Sequence, residues 1–362
     1  MGFAIILGFL LVGVVLQRLN ILPASAPSRL IQYVLYIAMP ALVLLHLPQL
    51  QIDAQLWVPV ITPWAMLALS MISVVVLTRV LNWSREVMGA LLIVVPLGNT
   101  SFLGFPIVRS FYGEQGLAYA VLYDQFGSFI GLAVVATTLA AIFSHGSSHD
   151  SSHGSSHGLS HDMSHDSSHG LSHGMSHNKS EAEASTASPT TTSSPTAAKP
   201  HAPAPNRPKA STIIKKVLTF PPFIALLVAL VVLLSETSYP ATLETLLQVI
   251  GMTLVPAVMV AVGLQLQFSV PKADVSPFFA SLILKLLVLP LVAMLVFWLS
   301  PLSGLPVKVA MLEAAMPPMI TAGAIAMAAG LKPRLVSAII GYGVICSAVT
   351  IPIWYAIVEQ LF

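Results

Sequence analysis

Charge is scarce in this chain. Only 8% of its 362 residues are Asp, Glu, Lys or Arg, against 56% hydrophobic, and the mean hydropathy is +0.85. A water-soluble domain is about a quarter charged, so a soluble globular fold is excluded and an all-α polytopic membrane protein is expected. Cysteine is almost missing too. Cys346 stands alone, which excludes an intramolecular disulfide and Cys-based metal or redox centres. There is no H-E-x-x-H zinc motif, nucleotide-binding glycine loop or evident nucleophile–base pair. Neither an enzyme nor a nucleotide-driven pump is expected, and no nucleic-acid partner.

What fills the chain is a series of apolar runs, each about 20 residues or more, enough to cross a bilayer as a helix. Ten are predicted, over 2–19, 29–48, 56–79, 86–108, 116–143, 214–234, 240–266, 276–299, 305–330 and 335–361. Pro40, Pro63, Pro256 and Pro290 fall inside them as tolerated kinks. The opening run, Met1 to Val15, has no basic residue before it, and Arg18 comes after it. It therefore reads as a first helix with its N-terminus outside, not as a signal peptide. With that orientation 13 of the 16 Lys and Arg residues fall on the cytoplasmic side, as the positive-inside rule requires. The expectation is a multi-pass protein of the inner (plasma) membrane, bathed in lipid, with both termini outside.

One long polar segment, 144–213, divides the runs into 1–143 and 214–362. It carries Ser-His every fourth residue, at His145, His149, His153, His157, His161, His165, His169, His173 and His177, followed by a Ser/Thr/Pro/Ala tract. Such a composition cannot bury a core and predicts a disordered cytoplasmic loop. Five runs on each side mean that the second half enters the membrane from the opposite face, the arrangement of an inverted repeat. Weak internal similarity agrees. I-A-M-P-A-L-V from Ile37 and T-L-V-P-A-V-M from Thr253 share Pro-Ala, and P-L-G-N-T from Pro96 and P-P-M-I-T from Pro317 share Pro and Thr.

Two runs are unsuited to plain membrane helices. Val94 to Val108 contains Pro96, Gly98, Asn99, Thr100, Gly104 and Pro106, and Ala314 to Gly323 contains Pro317, Pro318 and Thr321. Proline removes a backbone donor, and in hydrocarbon the freed groups are tolerated only where protein or a water-lined cavity satisfies them. Two broken helices in matching positions of inverted repeats indicate a transporter site, with half-helix N-termini suited to an anion. Gly98, Asn99, Thr100, Pro106, Pro317, Pro318 and Thr321 are the candidate substrate-binding residues.

G-N-T-S-F-L-G-F-P from Gly98 resembles the fourth-helix crossover of the auxin efflux carrier family, and A-A-M-P-P-M from Ala314 its ninth-helix counterpart. L-Y-D-Q-F from Leu122 and V-P-A-V-M-V-A-V-G-L from Val255 are similar to other family signatures. The resemblance covers all but the central loop and identifies the chain as a member of that family, within the bile acid/arsenite/riboflavin transporter-like superfamily, and as a bacterial one. It implies a scaffold domain and a crossover transport domain, an elevator motion, a homodimer and organic-anion substrates. Those are indole-3-acetate in plant members and small carboxylates such as malonate or malate in some bacterial ones. Plant carriers have Pro where this chain has Gly98, and an Asn in the second crossover that this chain lacks, which argues against auxin as its substrate.

Charged residues inside spans cost about 2.5–3.5 kcal/mol each on insertion scales, so each calls for an account. Asp124, beside Gln125, and Glu313, one turn before Pro317, are candidates for coupling to a proton or sodium ion. Lys285 in the eighth span suits attraction of the anion or, on the favoured reading, snorkelling to the cytoplasmic surface on its long stem, and His46 is expected at the outer interface. The loop histidines suit weak zinc or nickel binding, and no cofactor is otherwise expected. The reading that follows is a secondary active carrier of a small organic anion. A divalent-metal transporter sensing metal through His145, His149, His153 and His157 is the alternative. A chain lacking residues 145–178 is expected to retain transport in proteoliposomes; a dead deletion variant would revive the metal reading.

Overall fold

The computed structural model describes residues 2–144 and 218–362, apart from 24, 51–53, 236, 238, 267 and 271. The predicted loop, with its candidate metal-binding His145, His149, His153 and His157, thus lies outside the described residues, save Ser144. The described residues form helices α1 (Phe3–Arg18), α2 (Ala26–Gln49), α3 (Trp57–Val80), α4 (Arg85–Val94), α5 (Thr100–Ser144) and α6 (Pro221–Leu234). After these come α7 (Ala241–Gly263), α8 (Lys272–Trp298), α9 (Leu305–Ala314), α10 (Ile320–Ala328) and α11 (Pro333–Leu361). Among the described residues there is no strand. Six helices, α2, α3, α5, α7, α8 and α11, are long and apolar enough to cross a membrane, and α1 and α6 are shorter apolar helices. The chain is a multi-pass membrane protein.

The helices depart from the expected runs where backbone chemistry intervenes. The run 86–108 is not one helix. It stops at Val94 and resumes at Thr100, because Pro96 cannot donate and Asn99 adopts φ −81°, ψ 60°, outside the helical region. The run 305–330 parts likewise into α9 and α10 around Pro317 and Pro318. Between the expected fourth and fifth runs the helix path of α5 is interrupted at Gly113, whose φ of 66° favours glycine.

Prolines reshape the helices in a repeated way. Pro40, Pro106 and Pro290 each follow a π-type segment by two residues: Val34–Ala38, Thr100–Gly104 and Leu284–Val288. The N–H just before each proline bonds five residues back, Met39 to Val34, Phe105 to Thr100 and Leu289 to Leu284. Each proline lacks the donor that would have reached four residues back, and the widened turn accommodates its ring. Asp124–Phe129 and Gly131–Ala136 in α5 are π-type as well. Carbonyls freed in such turns find side-chain partners. The Trp354 indole donates to Leu286 O at 2.9 Å, the very carbonyl that Pro290 cannot reach, and Trp64 donates to Phe126 O at 2.9 Å.

The helices pack in two groups. In the first, α1 lies on α7, and α2 on α6 and α7. Small residues set the closest approach: a Cβ on Gly13 would collide with Val260 O, and one on Gly263 with Leu10 O. Tyr33 and Thr253 hydroxyls meet at 2.5 Å between α2 and α7. In the second group α9 packs on α3 and α5, α10 on α4 and α11, and α8 on α11. His46 lies near the end of α2, beside Glu114 and Arg109. It is buried, with Nε2 3.2 Å from Glu114 Oε2, while Arg109 holds the other Glu114 oxygen.

Gly13→Leu is expected to force α1 off α7 and lower stability by roughly 1–3 kcal/mol, as overpacking does. Thermal unfolding of the purified protein in detergent checks this; an unchanged transition would mean the two helices are not in backbone contact.

Candidate functional site

The site begins with an unpaired-backbone problem. Five residues, 95–99, separate α4 from α5, and five, 315–319, separate α9 from α10. Their backbone groups have left the helical ladder deep inside the protein, where an unmet donor or acceptor costs about 1–3 kcal/mol. The two breaks satisfy each other. Asn99 N–H donates to Pro317 O at 2.7 Å and Met319 N–H donates to Leu97 O at 2.9 Å, which makes Gly98 and Pro318 an antiparallel bridge. Neither Pro317 nor Pro318 is asked to donate in this pairing. The Asn99 carbonyl then accepts from Leu103 and Gly104 N–H at 3.2 and 3.0 Å, starting α5. Behind the crossing, Gly343 of α11 has no Cβ, leaving room for the Pro318 ring.

A cavity of about 120 Å³ opens on one side of the crossing. Asn99, Ser101, Asp124 and Thr321 supply its polar wall, and Leu35, Met39, Phe102, Phe129, Leu132, Phe220 and Met319 its apolar walls. Most of this lining comes from π-type turns or residues adjoining them: Leu35 and Met39 in α2, and Ser101, Phe102, Asp124, Phe129 and Leu132 in α5. Such turns widen the helix and turn side chains off the regular face, and they recur at functional sites. Phe129 stacks on Phe220 with centroids 4.2 Å apart, joining α5 to the start of α6 at the cavity edge.

The polar wall is knit around Asp124, which is 1% exposed. Its Oδ1 accepts from the hydroxyls of Thr100, at 2.6 Å, and Ser101; its Oδ2 accepts from Gln125 Nε2 at 3.0 Å. These donors tie the first turn of α5 to a later turn of the same helix path, across the Gly113 reversal. Other polar atoms here are buried without hydrogen-bond partners among the described residues: Asn99 Nδ2 and Gln125 Oε1.

A smaller cavity of about 10 Å³ lies against the other side of the break, lined by Pro96, Leu97, Gly98, Tyr123, Ser128, Lys285 and Glu313 among others. Glu313 is 0% exposed and neither carboxylate oxygen has a hydrogen-bond partner among the described residues. Its carboxylate rests on Gly104, where a Cβ would collide with Oε2 and come within 2.6 Å of Oε1. Lys285 is 3% exposed. A Cβ on Gly98 would stand 3.4 Å from its Nζ. The expectation that Lys285 snorkels to the cytoplasmic surface is therefore corrected: the π-type turn ahead of Pro290 carries it to the crossing instead.

Of the sequence candidates, the structure gathers Asn99 and Thr321 on the larger cavity and Gly98 and Glu313 on the smaller. Thr100 and Gln125 act on Asp124, whereas Pro317 and Pro318 form the bridge. Pro106 lines neither of these two cavities and ends the π-type turn that shapes them. Sequence reasoning missed Ser101, which directly follows Asn99-Thr100 and was within reach of inspection. It named Lys285 but favoured a surface position for it, and it missed the apolar walls, which carry no local signal.

A family described as "Membrane transport protein" matches residues 2–355. An uncharacterized transporter of Methanothermobacter thermautotrophicus is 24% identical over 358 residues, covering 96% of this chain and 95% of its own length. An uncharacterized transporter of Methanocaldococcus jannaschii is 33% identical over 129 residues, 34% of this chain and 42% of its own. Both relatives are archaeal.

Gly104→Ala is expected to cost about 1–3 kcal/mol by overpacking against Glu313, and Glu313→Ala in the same chain to recover most of that. Unfolding in detergent measures both. If Gly104→Ala is neutral with Glu313 intact, the carboxylate does not rest there.

Proposed function

The chain belongs to the membrane transport protein family, and on that premise we propose that it is a secondary active carrier of a small organic anion, a carboxylate, across the inner (plasma) membrane. The family and the names of both relatives point to transport rather than catalysis. The observation that carries the anion reading is the crossing itself. Gly98 and Pro318 bridge two helix breaks so that α5 and α10 both begin there. The first N–H groups of a helix have no intrahelical partner and form the positive end of its dipole, so two such ends favour an anionic group. Asn99 Nδ2, buried and unpartnered beside the cavity, adds a donor for a carboxylate oxygen, with Thr321 opposite. Gly98, Thr100, Pro106, Pro317 and Pro318 hold this geometry.

In this reading the helix breaks belong to the fourth and ninth of ten spans in two inverted repeats, with both termini outside. Equivalent pairs of spans are joined in both halves, which supports it: Trp64 of the third donates to the fifth, and Trp354 of the tenth to the eighth. Transport proceeds by an elevator motion of α3–α5 and α8–α11 against α1, α2, α6 and α7. Support for that division comes from the packing groups and from the cavity, whose Leu35, Met39 and Phe220 belong to one group and whose polar wall belongs to the other. Asp124, with Gln125, and Glu313 are the buried carboxylate positions available for coupling to a proton or sodium ion.

Asn99→Ala is expected to reduce uptake about 10–100-fold, the loss of one or two hydrogen bonds to a charged group, while leaving insertion and folding intact. Uptake of indole-3-acetate, malonate and malate into proteoliposomes under imposed proton or sodium gradients is the measurement. Unchanged uptake by this variant would remove the crossing from the substrate path.

A further inference from the structure

Lys285 has no part in the reading above, yet it is the one buried Lys or Arg among the described residues. We propose that Lys285 is a switchable counter-charge shared by Glu313 and the transported anion. In the empty carrier it neutralises the Glu313 carboxylate; when Glu313 takes up a proton, the ammonium charge is released to an anion across the Gly98 backbone. The inference rests on the reading of the crossing as an anion site and adds to it a coupling ion, the proton, and a residue that transmits the coupling.

Three features support it. First, the lysine is held at the crossing by construction. Pro290 widens the Leu284–Val288 turn, and Trp354 satisfies the freed Leu286 carbonyl at 2.9 Å. Second, Lys285 and Glu313 line one small cavity against the Gly98 backbone, and Gly104, in the first turn of α5, leaves room for the Glu313 carboxylate. Third, the two buried carboxylates are provided for unequally. Asp124 has three side-chain donors, whereas Glu313 has none among the described residues. A buried carboxylate without donors must be neutralised by a proton or a nearby cation.

The groups that face Glu313 are Lys285 from α8 and Tyr123 and Asp124 from α5; α3 and α11, packed on the same helix, bring no ionisable side chain to bear on it. In the step itself an O–H bond of a hydronium ion breaks, its proton bonds to a Glu313 carboxylate oxygen, and neutral water leaves. Lys285 stays an ammonium throughout. The pair gains one positive charge, and a bound monoanion cancels it, so the charge of the crossing is the same empty and loaded. A carrier of constant charge avoids moving an uncompensated ion through the bilayer centre, where such a charge is costly.

Infrared difference spectra of the purified full chain, titrated in pH with no anion added, test the pair. The expected carboxylic-acid band disappears in Glu313→Gln. In Lys285→Met the band titrates at a proton concentration lower by about tenfold or more, and Lys285→Arg restores the original midpoint. Lys285→Gln replaces the Met variant if that one does not stay monodisperse. An unmoved midpoint without the lysine, or a band lost in Asp124→Asn and kept in Glu313→Gln, overturns the proposal. At fixed pH, indole-3-acetate or malonate is expected to enlarge the band in wild type and not in Lys285→Met. A band that ignores an anion that the protein transports overturns the shared counter-charge. If the titration holds and none of the tested anions is transported, the anion-site reading fails and the Lys285–Glu313 pair stands.

Discussion

In a bilayer every backbone N–H and C=O must find a partner within the protein, and the whole architecture turns on how two helix breaks meet that demand. Each break alone would leave peptide groups unmatched at depth. Crossed, Leu97–Asn99 and Pro317–Met319 exchange two hydrogen bonds and become the shortest possible piece of β-structure. The prolines fit this arrangement because the positions that donate, Asn99 and Met319, are not prolines, and Pro317 is used through its carbonyl. Glycine at 343 admits the Pro318 ring. The surrounding helices are thus arranged about a joint of two hydrogen bonds.

The existence of these breaks is legible in the sequence because proline and glycine act on their own backbone. Pro96, Gly98, Pro317 and Pro318 announce that a regular helix cannot pass, and Asn99 and Thr321 announce polarity beside the gap. The extra π-type hydrogen bonds are less legible. Pro40, Pro106 and Pro290 sit ahead of no visible signal, and each acts on the turn before it. Lys285 shows the limit most clearly. A lysine near a span end can extend to the surface, and the local sequence does not distinguish that from an inward course. What decides is Trp354, almost seventy positions away, which stabilises the widened turn through the Leu286 carbonyl. His46 is similar: only the fold brings Glu114 to its Nε2. Long-range pairings escape a reading built on local pattern.

The two buried carboxylates illustrate how environment separates residues of the same chemistry. From sequence, Asp124 and Glu313 are equals, single acids within apolar runs. In the structure Asp124 is a fastener, accepting from Thr100, Ser101 and Gln125 and thereby tying the start of α5 to its later turns. Glu313, equally buried, has no such donors and lies on a bare glycine. A buried acid with no donors has a reason to acquire a proton or a cation. A fastened carboxylate and one without donors thus stand close to one backbone segment.

The π-type turns connect these observations. A regular α-helix presents a smooth ridge of side chains and packs against neighbours without leaving space. A widened turn interrupts the ridge, frees a carbonyl and swings side chains out of register. Leu35, Ser101, Phe102, Asp124, Phe129 and Leu132 all belong to such turns and all face the larger cavity, while Lys285 belongs to another and faces the smaller. The cavities are consequently a product of helix geometry and would not arise from side-chain size alone. That explains why a chain so poor in charge can still build a polar centre. It needs few ionisable residues, because proline and glycine bring those few to a single place.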